Sequence, residues 1–158
     1  MAGYGDDTKF AAWLTANGYT LPADAPAPAV LRQRGSAYID GLYGSRFSGL
    51  PAGGFAQERA FPRVGAEAYS QAIPSDLVPV AVEQASYAAG YQEAIAPGSL
   101  APAVSAAASI KREKVSVIET EYFAGSGDAV ADATVRIAVV EGLLGPFLAQ
   151  PMPAVFVV

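Results

Sequence analysis

The sequence contains no cysteine and no histidine, and only 16% of its 158 residues are charged. Without cysteine there can be no disulfide, no thiolate nucleophile and no Cys-based zinc or iron–sulfur site. Without histidine the commonest general base, the commonest transition-metal ligand and the usual switch near neutral pH are missing. Long apolar runs are missing as well. The most apolar helix candidate, residues 133–148, carries Arg136 and Glu141 and falls short of the roughly 20 apolar residues that span a bilayer. Residues 1–10 are acidic and lack the apolar centre of a signal peptide. These absences argue against an enzyme and against a membrane protein, and they predict a soluble chain made in a cytoplasm.

Alanine accounts for much of the 52% hydrophobic content, and alanine favours helix and close helix–helix contact. The net charge of −5 is unevenly spread. Residues 32–63 hold five arginines against Asp40 and Glu58, a local +3, whereas residues 64–110 hold Glu67, Asp76, Glu83 and Glu93 and no base. That polarity predicts either ordinary surface variation or a basic part that meets the acidic part of a neighbouring copy or faces nucleic acid.

Periodicity predicts a mainly α fold, a small bundle of about four helices with a short β-strand or hairpin element, a long loop and an extended C-terminal arm. A first helix spans about 7–17, capped by Asp6 or Asp7, with Phe10, Trp13 and Leu14 on one face and Gly18 as the stop. After a proline-rich connector, a second helix covers about 29–43, with Leu31, Tyr38 and Leu42 on one side. Glycines and prolines break every pattern over 44–72, a length of loop that is often functional. Within it, Arg59 and Arg63 flank Phe61, which reads either as an anchor of an exposed loop or as a contact site.

A third helix is predicted to start at Ile73-Pro74-Ser75-Asp76, capped by Ser75 or Asp76, with Ile73 as a staple, and to end near Ile95. Its expected inner face is Leu77, Val80, Ala81, Gln84, Ala88 and Tyr91, with Tyr87 stacking on Tyr91. Residues 97–109 read as an Ala/Ser/Pro linker. The β-branched stretch 110–123 predicts one strand, with Val115 and Val117 on one face and Ile118, Thr120 and Tyr122 on the other. A last helix is expected from Ala133, capped by Asp132 and bent or ended by Gly145-Pro146. The division is thus one domain over 1–149 and an apolar arm over 150–158, whose Met152, Val155, Phe156, Val157 and Val158 need something to cover them.

No motif supplies chemistry. There is no phosphate loop, Gly125-Ser126-Gly127-Asp128 is too short for a dinucleotide loop, and Asp128 and Asp132 miss the spacing of a calcium loop. Glu119 and Glu121 read as solvated strand charges. No catalytic residue, metal site or cofactor is expected.

Several features taken in order carry a resemblance: Phe61-Pro62-Arg63, the Ile73-to-Leu77 helix start, the Lys111-to-Tyr122 strand and the Leu143-to-Leu148 helix end. The chain resembles the head–tail connector, or adaptor, proteins of long-tailed bacteriophages. Related sequences often bear the label DnaT-like ssDNA-binding protein. The resemblance implies a virion protein, assembled in a bacterial cytoplasm, forming a ring, dodecameric in type, at the head–tail interface. Its partners would be a portal protein, neighbouring copies and a neck, stopper or tail protein, with genomic double-stranded DNA passing through unread and no membrane. Met152 and Val155 to Val158 would then dock on the portal. Arg59, Phe61, Arg63, Glu83, Glu93, Val115, Val117 and Tyr122 would form the interface with neighbouring subunits or the neck. The alternatives are a single-stranded-DNA-binding protein and another minor capsid or tail-terminator protein.

Overall fold

The computed structural model describes residues 2–101, 112–115, 118–121 and 134–149, the two short segments at 112–121 by their backbone alone. The expected cap Asp132, Val117, Tyr122, the arm residues Met152 and Val155 to Val158, and most of the predicted linker lie outside the described residues.

Four helices form the body. Helix α1 (Asp7–Ala16) is capped by the Asp6 carboxylate, which accepts from the Lys9 amide at 2.8 Å, and it buries Phe10 and Leu14. Helix α2 (Pro28–Tyr43) starts on a proline, where the missing N–H costs little, and buries Leu31, Tyr38, Ile39 and Tyr43. Helix α3 (Val80–Ile95) begins later than its sequence predicts. The residue before a proline is pushed out of the helical region, so Val78 cannot lead into Pro79 as helix. Ser75 and Asp76 instead form a turn closed by Leu77 N donating to Pro74 O at 3.0 Å, and Pro79 stands at the N-cap.

The inner face of α3 also differs from expectation. Val82, Ala85, Ser86, Ala89 and Gly90 point inward, while Leu77 and Val80 are exposed. The reason is the crossing with α2. A Cβ on Gly90 would lie 2.8 Å from the Leu31 carbonyl oxygen, and one on Gly35 would lie 2.7 Å from the Gly90 nitrogen. The two helices therefore meet at backbone distance, which only a small-residue face allows. Tyr87 and Tyr91 part company: Tyr87 packs on Phe10 and Trp13, and Tyr91 stacks on Tyr19.

Helix α4 (Ala138–Leu144) starts five residues after the predicted position and runs into a 3-10 turn at Gly145–Phe147. Thr134, Val135 and Ile137 are β-branched and favour extended backbone, and the Val135 carbonyl is taken by the Tyr38 hydroxyl at 2.6 Å. Val140, Leu144 and Phe147 close the main core against Ile39, Tyr43, Val82 and Ala85. A second cluster of Phe10, Leu14, Leu31, Tyr87 and Ala94 ties α1 to α2 and α3.

Loop 44–72 is a folded lobe. Strand β1 (Leu50–Pro51) pairs antiparallel with β2 (Arg63–Val64), a 3-10 turn covers Gly54–Ala56, and β3 (Glu67–Ala68) pairs with β4 (Gln71–Ala72). The predicted single strand is a hairpin of β5 (Arg112–Val115) and β6 (Ile118–Glu121). Its register sets Arg112 opposite Glu121 and Lys114 opposite Glu119, and opposite charges across a ladder favour that pairing over one long strand.

Candidate nucleic-acid interface

Arg59, Phe61, Arg63, Glu83 and Glu93, singled out from sequence for contacts with other subunits, are engaged within the chain. Phe61 is buried, in edge contact with Phe47 at 5.0 Å, so it anchors the lobe from inside and is no surface contact. Arg63 is buried beside the same two rings, its guanidinium carbon 5.9 Å from each ring centroid. It donates to the carbonyls of Ser48 (2.8 Å), Gly49 (2.6 Å), Ala60 (3.1 Å) and Phe47 (3.3 Å), a use of the planar fork that holds the lobe on one cation. Burial lowers the Arg63 pKa.

Arg59 pairs with Asp40 at 3.2 Å and donates to the Ala2 carbonyl at 2.9 Å. The same Asp40 accepts from the Tyr4 hydroxyl at 2.6 Å. Burial, reinforced by Asp40, pushes the Tyr4 pKa up, so the phenol stays a donor. Glu83 pairs with Lys9 at 3.2 Å. Glu93 is buried, pairs with Arg34 at 2.9 Å and accepts from the Gly98 amide at 3.0 Å. Val115 lies in β5, in register with Ile118. The basic and acidic stretches read from sequence thus meet in part inside one molecule, at Arg34–Glu93.

Arg32 and Arg136 also have carboxylate partners, Asp7 and Glu141. Among the residues whose side chains are described, Arg46 is an exposed cation with no carboxylate partner; its guanidinium lies 5.6 Å from the Tyr43 ring centroid. Arg46 closes the turn that follows α2, and this turn and Phe47 pair with the end of the last 3-10 turn. Ala149 N donates to the Arg46 carbonyl at 2.7 Å, and Phe47 bridges Leu148.

Tyr69 borders the same place. It sits with Ser70 in the two-residue turn of the β3–β4 hairpin, both at positive φ (54° and 59°). That turn ordinarily calls for Asn-Gly, and a tyrosine in the left-handed region is strained. Its ring is 73% exposed and leans edge-on against Phe147 at 6.2 Å. Ser48 ties this hairpin to the Arg46 segment, accepting from the Glu67 amide at 3.0 Å and donating to the Glu67 carbonyl at 3.1 Å. An open aromatic face and an unpaired cation thus flank residues 147–149. Sequence reasoning missed both, because Tyr69-Ser70 carries no glycine signature and Arg46 is unpaired only once every other arginine has been placed.

The other aromatic group is less suited to a ligand. Tyr19 and Tyr91 stack on each other at 4.4 Å and 10°, with Trp13 at 5.5 Å from Tyr19, so their faces are partly spent on one another. A cavity of about 640 Å³ between α2 and the end of α3 is lined by Ala37, Tyr38, Leu42 and Leu100, with the satisfied Arg34–Glu93 pair among its lining residues. No group of three acids that could hold a metal ion occurs among the described residues, and no helix among them is long and apolar enough to cross a membrane.

A family model described as "Putative DnaT-like ssDNA binding protein" matches residues 3–158. No curated protein and no solved structure matches the chain. The match overturns the resemblance to phage head–tail connectors, and with it the function of a portal-bound ring and the virion setting: the family found is another one, and nothing points to a connector. Of the motifs behind that resemblance, Phe61-Pro62-Arg63 anchors the lobe from inside and Ile73-to-Leu77 is a turn ahead of α3. By a match that runs from residue 3 to residue 158, the chain belongs to the family of DnaT-like ssDNA binding proteins.

Proposed function

We propose that this protein binds single-stranded DNA without reading its sequence, and that Tyr69 and Arg46 form part of the contact surface. The observation that carries the reading is the family match across nearly the whole chain; the exposure of Tyr69 and of Arg46 supports them as contacts. A base has to be unpaired to stack on a protruding ring, and such stacking is worth about 1–3 kcal/mol per base while tolerating any base. Tyr69 offers its face on a rigid two-residue turn, and Arg46 offers a guanidinium free to meet a phosphate. The reading makes the protein a binder and not a catalyst.

The electrostatic part is small. Arg46 is an exposed cation with no carboxylate partner among the residues whose side chains are described, and the net charge of −5 opposes a polyanion, so this reading takes few phosphate contacts and few released counterions. A slope of log K against log salt near −0.7 per phosphate contacted follows for a single strand.

The test is fluorescence anisotropy with a labelled oligo(dT). Tyr69→Ala should weaken binding about 5- to 150-fold, the range that about 1–3 kcal/mol corresponds to, whereas Tyr69→Phe keeps the ring and should bind like the wild type. Arg46→Gln should lower affinity at low salt and flatten the salt slope. Equal affinity of Tyr69→Ala and Tyr69→Phe would remove Tyr69 from the site. Failure of the wild type to bind would remove the function.

A further inference from the structure

The lobe carries a second set of exposed side chains, apolar where Arg46 is charged. Leu50 and Val64 are register partners in the β1–β2 ladder, so they share a face, and they are 74% and 52% exposed. Phe55, on the 3-10 turn packed beside β1, projects fully into solvent. No charged residue occurs from Ser48 to Gln57, and the exposed Val64-Gly65 is uncharged as well. A phosphate backbone would find nothing to pair with here.

We propose that this patch docks on the same patch of a second copy of the chain. The three side chains together offer on the order of 400 Å² of apolar surface, the size of the largest patch on an ordinary monomer and one often used for contact. A stable free dimer covers about 800 Å² per partner, so this contact is about half of what permanent association needs. A twofold arrangement lets each patch cover its own image, which suits a surface with no charge to complement. The dimer is therefore weak in free solution and forms when copies are concentrated. Neighbours held on one DNA strand would see each other at millimolar effective concentration, and the contact would then make binding along the strand cooperative. That last consequence rests on the DNA reading; the self-contact does not.

Sedimentation of the full chain without DNA tests it, between about 20 µM and about 1 mM, the range in which a contact of this size registers. The average mass of the wild type should rise with concentration. Leu50→Glu and Phe55→Ser, both at exposed positions and each checked by circular dichroism for an unchanged fold, should stay monomeric over the same range. A wild type that remains monomeric at the top concentration would overturn the proposal. So would association left unchanged by either substitution.

Discussion

Adding one methyl group at Gly35 should loosen the whole body of the protein. A Cβ there would fall far inside contact distance of the Ser86 carbonyl oxygen, and would lie 2.7 Å from the Gly90 nitrogen and 3.2 Å from the Gly90 Cα. All three atoms are backbone of α3, so no side-chain rotation relieves the clash, and α2 and α3 have to part by something near an ångström. Ile39, Val82, Ala85 and Ala89 would lose contact as they do. Overpacking of this kind costs about 1–3 kcal/mol, and a backbone obstacle belongs at the upper end. Alanine's better helix propensity returns about 1 kcal/mol. The net loss of about 1–2 kcal/mol lowers Tm by about 2–8 °C for a chain of this size. Gly41 provides the control: it lies in the same helix, and a Cβ there meets nothing within 4 Å. Gly41→Ala should gain about 1 kcal/mol and raise Tm by about 2–4 °C. Thermal and urea unfolding followed by circular dichroism read both, with the m-value unchanged. A Gly35→Ala protein as stable as the wild type, or a Gly41→Ala protein that is less stable, would refute the backbone-contact crossing.

Two more outcomes follow from buried groups. Arg63→Met removes the donor of four carbonyl bonds and should cost about 2–4 kcal/mol, since each buried acceptor left alone costs about 1–3 kcal/mol and water reaches some of them; urea midpoints and protease cleavage within 44–72 measure it, and Arg63→Lys should recover little. The Tyr87 pKa is pushed up to about 12, first by burial and then by Glu83. A folded pKa above the unfolded value of about 10 means its contribution is fully present below pH 10 and is lost as pH rises through about 12. Stability should therefore be level up to about pH 10 and fall above it, and in Tyr87→Phe that fall should be smaller; an identical alkaline profile in the two proteins would count against a buried, neutral Tyr87.

Helix count and class were legible in the sequence because the apolar periods of α1, α2 and α4 are strong and Gly18, Pro28 and Gly145-Pro146 punctuate them. The start of α3 was misread because Asp76 looks like a cap in isolation, while the restriction that Pro79 places on Val78 decides the matter. Its inner face was misread because alanine and glycine have little hydrophobic signal, yet they are what allow α2 to approach. The lobe was illegible as structure, since Arg63 organises it through carbonyls that no side-chain pattern records. Arg59, Phe61, Glu83 and Glu93 looked like contact residues because their internal partners are 19 or more positions away in all but one case and appear only on folding: Asp40 for Arg59, Phe47 for Phe61, Lys9 for Glu83 and Arg34 for Glu93. The nucleic-acid reading had been set aside on net charge, and Trp13 and Phe10 do pack inside as expected; the exposed ring turned out to be Tyr69.

The central claim is most directly tested by titrating the full chain, at low salt, against an oligo(dT) of about 20 nucleotides and a duplex of equal length, a span that exceeds a single binding site. Stacking on Tyr69 needs an unpaired base, so the account predicts saturable binding to the single strand, weaker binding to the duplex, and a shallow salt slope. Equal affinity for the two, or no binding to the single strand, would contradict it.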